Sequence, residues 1–301
     1  DVATGGRQFA TADAETAKLG TDAEPGVFPR TITHALGETV IEKKPERVIV
    51  LDGGELDDVL SLGITPVGLA SPESAAGQPS YLADKLAGGA GRRDHQQPEP
   101  RGDLRSAARS DPGQQAARRQ AVPAAVVHRA DRVRHPPRFP VEGELPAGRR
   151  RLGEETKAEE VLNAYQTRAD EVRESITGEP TISLVRFMSG KIRLYGNLSF
   201  IGVILRDVGL PRPTVQNVDE LAVEVSQETI GEANADRIFY SSYGAPETTD
   251  ESTVVGGPLW NQMQAVKDGK AVPVSDETWF LALGPTGAMI VLDDLENMLA
   301  A

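Results

Sequence analysis

The stretch LDGGELDD (51–58) places three aspartates, Asp52, Asp57 and Asp58, at the end of an apolar run. Carboxylates that follow a strand can hold Mg²⁺ for phosphate-ester hydrolysis. An aspartyl phosphatase, however, needs two aspartates separated by one residue directly after the strand, and here two glycines follow Asp52. The spacing favours a structural role: Asp52 at a helix N-cap, with Asp57 and Asp58 in a solvated first turn. A Mg²⁺-dependent phosphohydrolase built on these three residues is the rival reading. The chain has no cysteine, which removes disulfides, thiolate metal sites and thiol nucleophiles. It also lacks a P-loop, a nucleophile elbow, a dinucleotide fingerprint and any zinc-ligand spacing.

The elements around this cluster alternate strand and helix. RTITHALGETVIE (30–42) reads as a hairpin, and RVIVL (47–51) as a short buried strand. Leu56, Val59, Leu60 and Leu62 then follow at helical spacing up to Gly63, and TPVGLA (65–70) is the next strand. Strand, helix and strand so close together make a βαβ unit and a largely parallel sheet. EETKAEEVLNAYQTRADEVRESI (154–176) is one long amphipathic helix, with Ala158, Val161, Leu162, Tyr165, Ala169, Val172 and Ile176 on its apolar face. A second series follows: strands TISLVRF and KIRLYG, helix SFIGVILRDVGL, strand ADRIFYSSY, helix and strand in LWNQMQAVKDGKAVPVS, and closing helix GAMIVLDDLENMLA. The expected fold is α/β, with two Rossmann-like lobes joined by one long helix and a ligand cleft between them. The expected boundaries are a flexible leader over 1–27, an N-terminal lobe over 28–153, the linking helix over 154–177 and a C-terminal lobe over 178–301.

The formal charge of −13 over 301 residues argues against general affinity for nucleic acid or anionic membrane. No apolar run reaches the length of a membrane-spanning helix, and no signal peptide is visible. Residues 92–151 break the pattern. They hold fourteen arginines, no lysine and seven acidic residues, and they lack Ile, Thr, Asn, Tyr, Trp and Met. A nucleic-acid-binding insert would carry lysines and interleaved aromatics, and a disordered loop of this length inside a compact domain is rare. A reading-frame shift with compensating indels fits better. Read one nucleotide out of frame, permitted codons for this stretch give strand and helix patterns that continue the βαβ series. Peptide masses that match the printed arginine-rich sequence would sink this reading.

RVIVLDGGELDDVLSLGITPVG, IRLYGNLSFIGVILRDVGLPRP, VSQETIGEANADRIFY and VPVSDETWFLALGPTGAMIVLDDL, in this order and spacing, resemble the ferric-siderophore substrate-binding proteins of ABC importers, the class with a rigid inter-lobe helix. The resemblance covers about 28–90 and 153–301. It implies capture of a ferric siderophore in the cleft, delivery to a membrane permease, and no catalysis. Haem and cobalamin carriers share the architecture and stay open as alternatives. Iron would be held by the siderophore, so no cofactor and no protein metal site is expected. The resemblance also implies an extracytoplasmic protein, periplasmic or lipid-anchored on the outer face of the cytoplasmic membrane. The expected state is a monomer that touches membrane only through an anchor or the permease.

Such a chelate needs aromatic walls and a few cationic donors. Arg186 and Arg193 flank a predicted turn between two strands, where their guanidinium groups can meet ligand oxygens. Tyr195, Tyr243, Trp279 and Phe280 are the candidate walls, Trp279 and Phe280 in a Gly-rich loop after a strand. Trp260 reads as core, and His34 as structural. By resemblance Glu228 is the second-lobe carboxylate that docks on permease arginines. The corresponding first-lobe position falls at Arg101. Two further pocket residues, an Arg and a Trp, fall over the codons of Ala117–Arg118 and Val141–Glu142.

Overall fold

The computed structural model describes residues 21, 23–34, 37–50, 52–69, 79–88 and 151–300. Their contacts form two compact α/β units that part within one helix, between Lys157 and Ala158. The arginine-rich stretch, apart from Arg151, lies outside the described residues, and with it Arg101 and the Ala117–Arg118 and Val141–Glu142 positions.

In the N-terminal unit, β1 (Arg30–His34) and β2 (Gly37–Ile41) pair antiparallel as the hairpin pattern predicts. β3 (Ile49–Val50) and β4 (Gly68–Leu69) pair in parallel around α1 (Gly53–Ser61), which is the expected βαβ unit. The Asp52 carboxylate accepts from the Glu55 backbone N–H at 3.0 Å, so it caps the helix. The expectation of a solvated first turn is wrong for its neighbours. Asp57 is 0% and Asp58 5% exposed, and Ser61 Oγ donates to Asp57 Oδ1 at 3.2 Å. Six consecutive residues, Gly54 to Val59, are buried, so the helix is covered on all sides and these carboxylates are enclosed with Leu56 and Val59. A short 3₁₀ turn, Ser80–Leu82, leads into α2 (Ala83–Gly88).

Arg30 ties the chain entry to the start of the long helix. It is almost fully buried, pairs with the Glu155 carboxylate, and donates to the Val27 and Glu24 carbonyls at 2.8 and 2.9 Å. Gly26 N–H also donates to Glu155 at 3.2 Å, so this end of the expected leader is held in place.

The long helix α3 runs Glu155–Ser175, about 32 Å at 1.5 Å per residue. Ala158, Tyr165, Ala169 and Val172 form its buried stripe in the C-terminal unit. There, Arg168 bridges to Asp293 and Glu296 on the closing helix at 2.7 and 2.6 Å.

The C-terminal unit is built on a five-stranded sheet, order β7-β6-β5-β8-β9. Its strands are β5 (Ile182–Met188), β6 (Lys191–Tyr195), β7 (Ala222–Val225), β8 (Arg237–Ser242) and β9 (Ala271–Pro273). β5, β8 and β9 are parallel, while β6 and β7 are antiparallel to their neighbours. α4 (Phe200–Asp207) follows β6, capped by Ser199 and stopped at Gly209, which sits at positive φ. α5 (Glu251–Val254), α6 (Pro258–Gln262) and α7 (Gln264–Lys267) precede β9, and α8 (Pro285–Leu299) closes the unit.

Side chains alternate across a sheet. One face carries Val185, Phe187, Ile192, Leu194 and Ile238 against Trp260, Met263, Ala265 and Ile230. The opposite face carries Leu184 and Phe239, and Trp279 packs on Phe239 with ring centroids 4.9 Å apart. The single helix expected before β9 is instead two, broken at Met263 in extended backbone. Asn234 Oδ1 accepts from the Gln264 N–H at 3.0 Å and caps the restart, a long-range contact with no local signature.

Candidate functional site

Parallel β5 and β8 end side by side, and the polar end of a parallel sheet is where α/β folds place ligands. In register, Arg186 of β5 faces Ser241 of β8 on one side and Arg193 of β6 on the other, and Arg193 faces Glu224 of β7. Paired residues share a face. One polar row, Glu224–Arg193–Arg186–Ser241, therefore crosses one face of the sheet. Two arginines opposite each other would repel. Each has a carboxylate on its outer side instead.

Arg186 is 5% exposed. Its Nε and Nη2 donate to the two Asp276 oxygens, each at 2.6 Å, and Nη1 donates to the Tyr195 hydroxyl at 3.0 Å. Ser241 Oγ donates to Asp276 Oδ1 at 2.8 Å. Three aromatic rings surround the guanidinium: Tyr243 at 4.6 Å, Phe280 at 5.4 Å and Tyr195 at 6.0 Å from Cζ. Tyr195 and Phe280 meet edge to face at 4.9 Å. Burial alone would pull the Arg186 pKa down, but the hydrogen bonds to Asp276 and Tyr195 overcome it and the net shift is upward. The side chain is a fixed cation. An arginine has five N–H donors, and three are committed in these bonds.

Arg193 donates to Glu224 Oε1 at 3.0 and 3.2 Å, and Lys191 shares the same oxygen at 3.3 Å. Arg193 hydrogen bonding, followed by that of Lys191, holds the Glu224 carboxyl below its ordinary value. Tyr195 is anchored at its other end, where its carbonyl accepts from Arg212 Nη2. Arg212 also reaches Gln216 Oε1 at 2.8 Å, and burial pulls its pKa down to about 10.

The structure thus brings four of the sequence candidates together: Arg186, Tyr195, Tyr243 and Phe280. Arg193 stands beside them but is turned to Glu224. Trp279 does not join them. It is 0% exposed, packed on Phe239, and its Nε1 donates to Asp294 Oδ2 at 2.8 Å, so it offers no face to a ligand. The reason is local. The segment expected as a Gly-rich loop is a π-helical turn, Glu277–Leu281, that points Trp279 into the core and Phe280 toward Arg186. Such turns recur at functional sites. Leu281 and Leu283 are the exposed apolar residues of this segment, at 45% and 37%. Trp260 is core, 3% exposed. Glu228 stands apart on the 3₁₀ turn Gln227–Ala233 after β7; it is exposed, and the Ser226 side chain lowers its pKa.

Asp276 was missed by sequence reasoning. Its signal was an acidic residue just past the end of β9, the position where parallel strands deliver site residues. Among the described residues no group of three or more His, Asp or Glu is arranged to hold a metal ion.

Residues 150–276 match the family described as periplasmic binding protein. The probable siderophore-binding lipoprotein YfiY of Bacillus subtilis is 27% identical over 299 residues, which cover 89% of this chain and 87% of that protein. The achromobactin-binding periplasmic protein of Dickeya dadantii is 26% identical, covering 84% and 86%. Among solved structures, Staphylococcus aureus SirA complexed with staphyloferrin B superposes with a TM-score of 0.66 at 24% identity, covering 89% of this chain and 98% of SirA. The petrobactin-binding protein YclQ of Bacillus subtilis gives 0.61 at 22% identity, covering 89% and 98%.

Proposed function

We propose that this chain, which resembles the siderophore-binding members of the periplasmic binding proteins in sequence and shares their fold, captures a ferric siderophore outside the cytoplasm and delivers it to an ABC importer without catalysis. The observation that carries the reading is the Arg186 cluster. A buried cation is held rigid by Asp276 and Tyr195 and walled by Tyr243 and Phe280 near the C-terminal end of β5. Such a group binds oxygen-rich surfaces. Its carboxylate neighbour, Asp276, is engaged by Arg186 and by the Ser241 hydroxyl. The rival hydrolase reading loses its residues, since Asp52 caps a helix and Asp57 and Asp58 are turned inward.

The iron stays with the siderophore, so the protein needs no cofactor of its own. Glu228, exposed at the end of β7, is the docking carboxylate for permease arginines in this reading, and the protein works as a monomer. No helix among the described residues is long and apolar enough to cross a membrane, which fits contact with the membrane through an anchor or the permease.

The test is a titration of intrinsic tryptophan fluorescence with ferric siderophores, using the iron-free siderophores, haemin and cobalamin as controls. Saturable quenching by a ferric chelate at micromolar concentration or below, without response to its iron-free form, supports the reading. A response to haemin or cobalamin alone moves the assignment to those ligands. Glu228→Ala should leave that titration unchanged and reduce uptake in cells.

A further inference from the structure

The antiparallel ladder of β5 and β6 ends with Val185 opposite Leu194. The next pair in register would be Leu184 with Tyr195, and it is not formed. Backbone groups left by an open pair need other partners, and the loop between α4 and β7 supplies them. It comes alongside β5 at Pro211, whose carbonyl accepts from the Ile182 N–H at 2.8 Å. Gln216, 0% exposed, takes the Leu184 N–H on its Oε1 at 2.9 Å and donates its Nε2 to Ser183 Oγ at 2.6 Å. Arg212 closes the bridge. Its Nη2 donates to the Tyr195 carbonyl and to Gln216 Oε1, the latter at 2.8 Å. Two side chains thus stand where a strand pair would be.

This bridge is a costly way to satisfy two backbone groups. Arg212 has no carboxylate partner among the described residues, and its Nε and Nη1 are enclosed without an acceptor. A buried cation without an anion works against folding, and a plain backbone pair would need no charge at all. What the bridge adds is position. Tyr195 is held at its carbonyl by Arg212, and its hydroxyl accepts from Arg186 Nη1 at 3.0 Å. Its ring lies edge to face on Phe280 at 4.9 Å. The next residue, Gly196, presses the chain against the loop before β7: its N–H donates to the Leu221 carbonyl at 2.8 Å, and a Cβ there would stand 2.4 Å from the Glu220 carbonyl oxygen. We infer that Arg212 is a positioning residue of the binding site, holding β6 off β5 at Tyr195 so that the tyrosine hydroxyl meets Arg186, and that it sets ligand affinity without touching the ligand. The inference rests on the siderophore-binding reading. A site of this kind depends on the groups that support its contact residues, and here that support runs from Gln216 through Arg212 and Tyr195 to Arg186.

The experiment is a double-mutant cycle read by equilibrium dialysis at pH 7. The probes are ferrichrome, ferrioxamine B, ferric citrate and a ferric tris-catecholate, and the cycle uses the one that the wild-type chain retains most tightly. Arg212→Met and Tyr195→Phe should each weaken that probe about tenfold. The double variant should be about as weak as either single one, because both changes act through the same hydroxyl contact. A merely structural arginine would instead give losses that multiply. Arg212→Gln, polar and shorter, replaces Arg212→Met in the cycle if urea denaturation shows that the methionine variant does not fold. Losses that multiply overturn the positioning role and leave the carrier reading standing. So does an affinity unmoved by the Arg212 change, or by Tyr195→Phe alone. Retention of none of the probes by the wild type overturns the carrier reading, and this inference with it.

Discussion

Arg186 and Asp276, 90 residues apart in sequence, form a two-armed ion pair with both contacts at 2.6 Å. The pair joins the end of β5 to the turn after β9, the two strands between which β8 lies. It sets the guanidinium plane, and that plane sets where Tyr195, Phe280 and Tyr243 can pack.

Breaking the pair from one side should cost more than removing both charges. Arg186→Met leaves the Asp276 carboxylate partly buried without its cation, which costs on the order of 3 kcal/mol. Combining Arg186→Met with Asp276→Asn should recover part of that loss. Urea denaturation of the two single variants and the double variant checks this. Additive effects would show that the two charges do not depend on each other.

The aromatic residues should separate into wall and core. Trp279→Phe removes a buried ring edge and the hydrogen bond to Asp294, and should cost about 1–3 kcal/mol of stability. Its effect on ligand affinity should be small. Tyr243→Ala, at a half-exposed position, should change stability by less than about 0.5 kcal/mol. It should weaken ligand binding roughly tenfold through the lost ring face. Paired denaturation and fluorescence titrations separate the two effects. A Trp279→Phe protein of normal stability and lost affinity would return that residue to the wall.

The elements of the C-terminal unit were largely legible in sequence because each strand is a short apolar run bounded by turn residues. β5 and β6, separated by Ser189-Gly190, show it directly. The strand β7 was not anticipated. Its four residues, AVEV, are half-exposed and carry little apolar signal. At the site, Arg186, Tyr195, Tyr243 and Phe280 could be named from residue type and position after strands, and Asp276, just past β9, carried the same signal. The inward turn of Trp279 could not be named, because it depends on a π-helical turn, which inserts one residue into the helical period and reverses which neighbour faces the core. Asp57 and Asp58 failed for a different reason. Charge in a helix's first turns predicts exposure, and here packing overrides it.

Gly202 should tolerate no side chain. A Cβ there would stand 2.1 Å from the Gly196 carbonyl oxygen and 2.7 Å from Ser199 Oγ, the cap of α4. The carbonyl is backbone and cannot swing aside, so the first turn of the helix would have to move away from the loop that follows β6. Gly202→Ala should therefore destabilise the C-terminal unit by about 2–4 kcal/mol, despite alanine's better helix propensity. Thermal denaturation measures it. A variant as stable as the wild type would mean that the α4 turn has room to shift.

Asp207 makes a prediction in pH. Burial raises its carboxyl above the ordinary 3.8, a shift only partly offset by the Tyr165 hydroxyl, which donates to it at 2.8 Å. The folded chain thus holds this proton more tightly than the unfolded chain. The group's favourable contribution is complete below 3.8 and is lost as pH rises through the raised folded value. Asp207→Asn keeps an acceptor for Tyr165 and cannot ionise. Measured against the wild type, the variant should gain relative stability as pH rises across that window and then level off. Urea denaturation from pH 3 to pH 8 tests the sign. A relative gain on acidification instead would mean that Arg173 and Arg206 hold the carboxylate more strongly than burial opposes it.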